Sequence, residues 1–274
     1  MGWTEYYFFI IEKIGGRYFI IAGIAFLLFY VLLRKKVSFK KIQQRYPGRN
    51  DYIREIGYSV ITILIFACVP LLLIRNDAMR PYTTFYADIS RHGQLYFWAA
   101  FPLMLIIHDA YFYWTHRLMH HPGLFKIFHL VHHKSTNPSP WAAYAFHPLE
   151  AIVEAGIAVL FLFTIPIHAY HLPFFFLFMI IYNVYGHLGW ELYPKSFSRH
   201  WLGRWINTSV NHNQHHQYFK GNYGLYFLFW DRIMGTIRKD YEERFEEVSK
   251  QIPPSVNAGS HKEYLSTDNN SVVH

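Results

Sequence analysis

From Tyr18 to Leu33 the chain reads YFIIAGIAFLLFYVLL, and from Ile56 to Ile74 it reads IGYSVITILIFACVPLLLI; neither stretch carries a charge. Both come close to the ~20 apolar residues that an α-helix needs to cross a bilayer. Composition agrees, since 52% of the 274 residues are hydrophobic, 20% aromatic and only 16% charged. A third apolar stretch runs from Tyr96 to about Thr115 and carries Asp109 near its end, and an ionisable residue inside a span is a functional candidate by default. Two more, Ala151 to Ile167 and Leu172 to about Tyr185, are separated by His168-Ala169-Tyr170-His171 between Pro166 and Pro173, which reads as a helical hairpin with a short turn. The predicted fold is all-α: an integral membrane bundle of about four to five embedded helices with a helical cap.

Loop charges orient the spans. Residues 34–54 hold Arg34, Lys35, Lys36, Lys40, Lys41, Arg45, Arg49 and Arg54 against the single acid Asp51, which assigns this loop to the cytoplasm. Residues 76–95 carry Arg80 and Arg91 against Asp77 and Asp88, and should face outward. The formal charge of +8 and pI near 9.4 therefore reflect attraction to anionic lipid rather than to nucleic acid. Cys68, the one cysteine, lies in a span, so no disulfide framework is available within the chain. No cleavable signal peptide is expected, and the opening WTEYYFFIIEKI reads as an interfacial helix. Three regions follow: 1–95 with the first spans and the basic loop, 96–240 with the chemistry, and 241–274 as a polar tail predicted to be disordered.

Within 96–240, eight histidines fall into three groups: His116 and His120 in HRLMH, His129, His132 and His133 in HLVHH, and His212, His215 and His216 in HNQHH. Residues at i, i+3 and i+4 share one helical face, so each group can present its imidazoles to a common point. A lone histidine is usually a hydrogen-bonded core or surface residue. Burying eight without a metal would instead leave many unsatisfied polar groups, at roughly 1–3 kcal/mol each. Eight also exceed the three or four ligands that one zinc takes, so the pattern predicts two metals. Counting spans from the basic loop puts all three groups on the cytoplasmic side.

The segments DAYFYWTHRLMHH (109–121), FHLVHHKS (128–135), FHPLE (146–150), NHNQHH (211–216) and NYGLYFLFWDRIMGT (222–236) together resemble the fatty acid hydroxylase superfamily, and within it the sterol desaturase branch. The resemblance implies an integral membrane, O2-dependent enzyme whose histidine-rich di-iron centre hydroxylates or desaturates a lipid. It implies the eight box histidines as ligands, and suggests His187 in YGHLGWEL as a ninth. His147 also matches a family histidine. Asp109, seven residues before His116, and Glu150 are candidates for the acceptors that orient ligated imidazoles, with His147 as a third.

Spacing alone does not choose iron, because imidazole would also bind zinc. Attack on an unactivated C–H bond needs a redox metal and O2, and this, with the resemblance, favours two irons. No GxGxxG fingerprint or flavin domain is present, so electrons must come from a separate reductase, ferredoxin or small cytochrome. The rival reading is a membrane transporter or store for metal. Helical spacing of the ligands and the lack of an internal repeat count against it.

Overall fold

A computed structural model describes residues 1–251; the expected disorder of the segment 252–274 lies outside the described residues. Ten α-helices appear among the described residues. Three are long and apolar enough to cross a membrane: α1 (Trp3–Phe26), continued by a π-helical turn over Leu27–Leu32, α2 (Arg49–Leu73) and α3 (Gly93–Met119). At 1.5 Å per residue these are about 38–45 Å long, more than the ~30 Å hydrocarbon core. The hairpin helices α6 (Pro148–Thr164) and α7 (His171–Gly186) reach only about 25 Å each. All five turn large apolar side chains outward, including Ile20, Leu64, Ile106, Ile152 and Ile181, as helices in lipid do.

Two expectations are corrected here. WTEYYFFIIEKI is no separate interfacial helix: Gly15 and Gly16 do not interrupt the backbone, and it runs unbroken into the first span. Gly15 instead lets α1 approach Ile63 of α2. The polar tail expected from 241 begins as α10 (Tyr241–Ser249), amphipathic rather than disordered. Tyr241, Phe245 and Val248 fall on one face and are buried against Ile42, Val210 and Leu228.

The hairpin turn is tied to the loop before α3. Strand β1 (Phe85–Tyr86) pairs in parallel with β2 (Ile167–His168). His171 accepts from the His168 amide and donates to the Phe97 carbonyl, while His168 donates to the Ala87 carbonyl. These two histidines are structural.

At the opposite end lies the cap. It contains α4 (Pro122–Phe128), α5 (Leu130–His133), α8 (Ser209–Tyr218), α9 (Phe229–Ile233) and α10. The basic 34–48 loop packs onto it: Gln43 donates to Asn213 Oδ1 and the Thr136 carbonyl, and Arg244 donates to the Ile42 carbonyl. Between α5 and α6 the chain dips back between α1, α2 and α7 as a short 3-10 turn, Pro140–Tyr144. Its free carbonyls are met by side chains of the spans. Tyr18 and Ser59 donate to Trp141, and Asn183 donates to Ala143. Irregular backbone is tolerated at this depth only because protein groups satisfy it. The stretches 1–95 and 96–240 thus form one core, in which Tyr18 of α1 stacks on Tyr144 at 5.2 Å.

Candidate metal centre

The histidines occupy the junction between spans and cap, and the structure gathers nine of them. His116, His120, His129, His133 and His215 form one group, and His132, His187, His212 and His216 form the other, with the ligand atoms of each group within 4.8 Å of one another. His187, at the C-terminal end of α7, is the hub of the second: its Nε2 lies 3.3 Å from that of His132 and 3.1 Å from those of His212 and His216. The sequence boxes do not map one to a site. Pairs at i, i+4 stay together (116 with 120, 129 with 133, 212 with 216), but His132 and His215 serve the opposite group from their neighbours. Successive residues on a helix point about 100° apart, so one helix passing between two sites feeds both. The expectation of one point per group is corrected accordingly.

Hydrogen bonds assign the tautomers. Nδ1–H donates from His116 to the Tyr223 carbonyl, from His215 to Gly221, from His216 to Ser135, from His187 to Asn183, and from His129 to Glu150 Oε1 at 2.7 Å. A neutral imidazole has one N–H, so each of these presents a bare lone pair at Nε2. Yet the Nε2 atoms of His116 and His129 are 2.9 Å apart, and those of His187 and His216 are 3.1 Å apart. Protonation does not relieve this, because burial first, and then the neighbouring imidazoles, drives His129, His212, His215 and His216 well below the usual histidine range. Burial pushes His187 down to about 4. Two facing lone pairs repel unless a cation lies between them. A metal–imidazole bond of about 2.0–2.1 Å places neighbouring ligand nitrogens about 3.0–3.4 Å apart, which fits these spacings. The donor set suits a divalent first-row transition metal.

Of the expected orienting groups, Glu150 contacts His129 directly. Asp109 acts one step away, accepting from the Tyr226 and Phe227 amides and so holding the segment that carries Tyr223. His147 joins neither group: its Nδ1 accepts from the Leu149 amide as the N-cap of α6. The main contributors that sequence reading missed are backbone carbonyls and their supports. Phe219, Gly221 and Asn222 all have positive φ, and this left-handed run aims the Gly221 and Tyr223 carbonyls at His215 and His116. Asp231 fastens the run by accepting from the amides of Tyr223 and Gly224 and from the Thr236 hydroxyl. Glu191 accepts from the Val210 amide and, with Thr208 capping Asn211, fixes the start of α8. The only available signal was the acid Asp231 inside NYGLYFLFWDRIMGT.

A cavity of about 440 Å³ lies in the bundle beside this centre, bounded by α1, α2, α3, α6 and α7, and none of the nine histidines lines it. Two of its lining side chains touch the centre: Phe112 packs 4.9 Å from the His116 ring and Phe146 packs 5.1 Å from the His132 ring. Its outer end reaches Ile74, Phe85 and Ala169. Its walls are mainly apolar, as expected for a pocket that takes a lipid, with Lys13, Arg17, His108, Glu154 and Asn183 as the polar exceptions.

Residues 101–236 match the family described as Fatty acid hydroxylase. The chain is similar to a Delta(7)-sterol 5(6)-desaturase, ERG3B, of Gibberella zeae, with 31% identity across 81% of this chain and 69% of that protein. It is 30% identical to a second such desaturase, erg3A of Aspergillus fumigatus, over 89% of this chain and 65% of the other. It is 29% identical to the Lathosterol oxidase of Mus musculus, over 69% of this chain and 62% of the other. No solved structure matches.

Proposed function

Because this chain belongs to the fatty acid hydroxylase family, in its sterol desaturase branch, and is a membrane lipid-modifying oxidoreductase, we propose that it removes two hydrogens from adjacent carbons of a sterol in an O2-dependent reaction at a di-iron centre. The observation that carries this reading is the convergence of nine neutral imidazoles on two points beside a mainly apolar cavity in the helix bundle, with Phe112 and Phe146 between them. Relatives named as sterol desaturases and lathosterol oxidase favour ring desaturation over hydroxylation.

In this reading His116, His120, His129, His133 and His215 hold one iron, and His132, His187, His212 and His216 hold the other. Bound there, the irons supply the O2 activation that an unactivated C–H bond requires. Glu150 and the carbonyls of Ser135, Asn183, Gly221 and Tyr223 keep their imidazoles in the Nδ1–H tautomer and lock the ring planes. Phe112 and Phe146 form the last contacts before the histidines, positioning the reacting carbons and excluding bulk water. Reduction of O2 to two waters takes two electrons and two protons from the C–C unit that becomes unsaturated. The other two electrons come from a separate reductase, ferredoxin or small cytochrome, and the other two protons from solvent. The cation excess of the 34–54 loop, which packs on the cap, supports a cytoplasmic face for the centre.

The test is lipid mass spectrometry of a host expressing wild type or His132→Ala, with and without isotopically labelled dioxygen. Desaturation gives a two-hydrogen mass loss with no label in the lipid, abolished in His132→Ala. A labelled lipid would assign hydroxylation instead, and no oxygen-dependent difference would refute the enzymatic reading.

A further inference from the structure

The face of α6 that reaches the metal centre continues into the cavity. Glu150 touches His129, and Glu154 follows one turn later, about 6 Å further along the helix. Glu154 is 9% exposed and lines the cavity. The polar groups that share this cavity or flank it bond elsewhere in the structure: the Tyr111 hydroxyl donates to the Val153 carbonyl, Lys13 pairs with Glu12, and Arg17 donates through Nη1 to the Pro173 carbonyl, its buried Nε having no partner among the described residues. No hydrogen bond joins the Glu154 carboxyl to any described residue. On α3, His108 precedes His116 by two turns on the same face. It is buried and lines the same cavity, with its Nδ1 bonded to the Tyr226 hydroxyl at 3.0 Å. Contact of Tyr111 with Val153 and Gly156 sets α3 and α6 side by side at this depth.

A carboxyl left without partners in an apolar chamber is costly, by the price of its desolvation, unless a ligand supplies the missing bonds. Apart from Lys13, Arg17 and Asn183, the remaining walls are apolar, so the ligand that fits is largely hydrocarbon with a hydroxyl to place at this carboxyl. We propose that Glu154, with His108, is the hydroxyl-binding subsite of the cavity, and that it sets how deep and which way round the lipid enters. This rests on the sterol reading. The 3-hydroxyl of a sterol is only a few bonds from ring carbons 5 and 6, as Glu154 is only one turn from the residue that touches the metal centre. A sterol anchored here enters hydroxyl first, with its aliphatic tail toward the outer end.

The test uses the full chain, metal-loaded and in lipid nanodiscs, and measures equilibrium binding of lathosterol and of cholest-7-ene, the same skeleton without the hydroxyl. Sites built to bond a hydroxyl reject analogues that lack it. Wild type should prefer lathosterol by about tenfold or more. Glu154→Gln, which still donates and accepts, should keep most of that preference. Glu154→Leu should bind both sterols equally while retaining the wild-type metal content, because Glu154 contacts none of the nine histidines. A wild type that does not discriminate, a Glu154→Leu that discriminates as wild type does, or an equal loss of affinity for both sterols would each overturn the subsite. If wild type bound neither sterol and made no oxygen-dependent sterol product, the sterol reading itself would fall. A sterol product with discrimination unchanged in Glu154→Leu would remove the subsite alone.

Discussion

Replacing Glu150 by alanine should weaken one metal site and spare the other. The His129 Nδ1–H donates to Glu150 Oε1 at 2.7 Å with both side chains almost fully buried, so the lost acceptor is not replaced by bulk solvent. An unsatisfied buried N–H costs about 1–3 kcal/mol. Loss of the acceptor behind a metal-bound imidazole typically lowers metal affinity about 10–100-fold, or about 1.4–2.8 kcal/mol, so the two estimates agree. The four-histidine group is oriented by other acceptors, the Asn183 carbonyl for His187 and that of Ser135 for His216. Metal per chain, measured by elemental analysis during competition with a graded chelator, should therefore fall from two toward one in Glu150→Ala, with the tighter-retained metal unchanged. Glu150→Gln keeps an acceptor oxygen and should lose only a few-fold in affinity. Parallel loss of both metals, or two metals held at wild-type affinity in Glu150→Ala, would refute the assignment of this carboxyl to a single site.

Two further expectations concern the cap. Gly221 has φ +80°, and a Cβ there would meet the Thr236 carbonyl oxygen at 2.6 Å, so Gly221→Ala should destabilise the fold by about 1–3 kcal/mol and deplete the His215 site; an unchanged thermal midpoint with both metals retained would contradict it. Burial first, and then Arg34, pushes Lys41 of the basic loop down to about 8 from its usual 10.5. Between those values the unfolded chain holds a proton that the folded chain has released, so stability should rise as pH climbs from about 8 to 10.5. Thermal melts across that window should show the rise in wild type and not in Lys41→Met.

Much of the centre was legible because its chemistry resides in side-chain type and local spacing. Histidines at i, i+4 must share a face wherever the helix goes, so 116 with 120, 129 with 133, and 212 with 216 arrive as pairs. The supports were less legible. Any residue has a carbonyl, and nothing in the letters Ser135, Asn183, Gly221 or Tyr223 says that its oxygen will face an imidazole. The opening twelve residues and α10 were misread for a related reason. A helix continues through Gly15-Gly16 when a neighbour packs against it, and a charged segment is ordered when its few apolar residues find a face to cover.

The sequence alone pointed to a membrane, because uncharged runs of that length match the span of a bilayer, and to a metal centre, because so many imidazoles at helical spacing would otherwise be costly to bury. Only the tertiary structure decided how nine histidines divide between two sites, since that depends on how α3, α5, α7 and α8 meet, with ligands 55 or more residues apart brought to 3.3 Å or less. The cavity was decided there too. Glu154 and His108 lie 46 positions apart in two apolar helices, with nothing in the letters to link them, and face one chamber only because α3 and α6 pack together beside the centre.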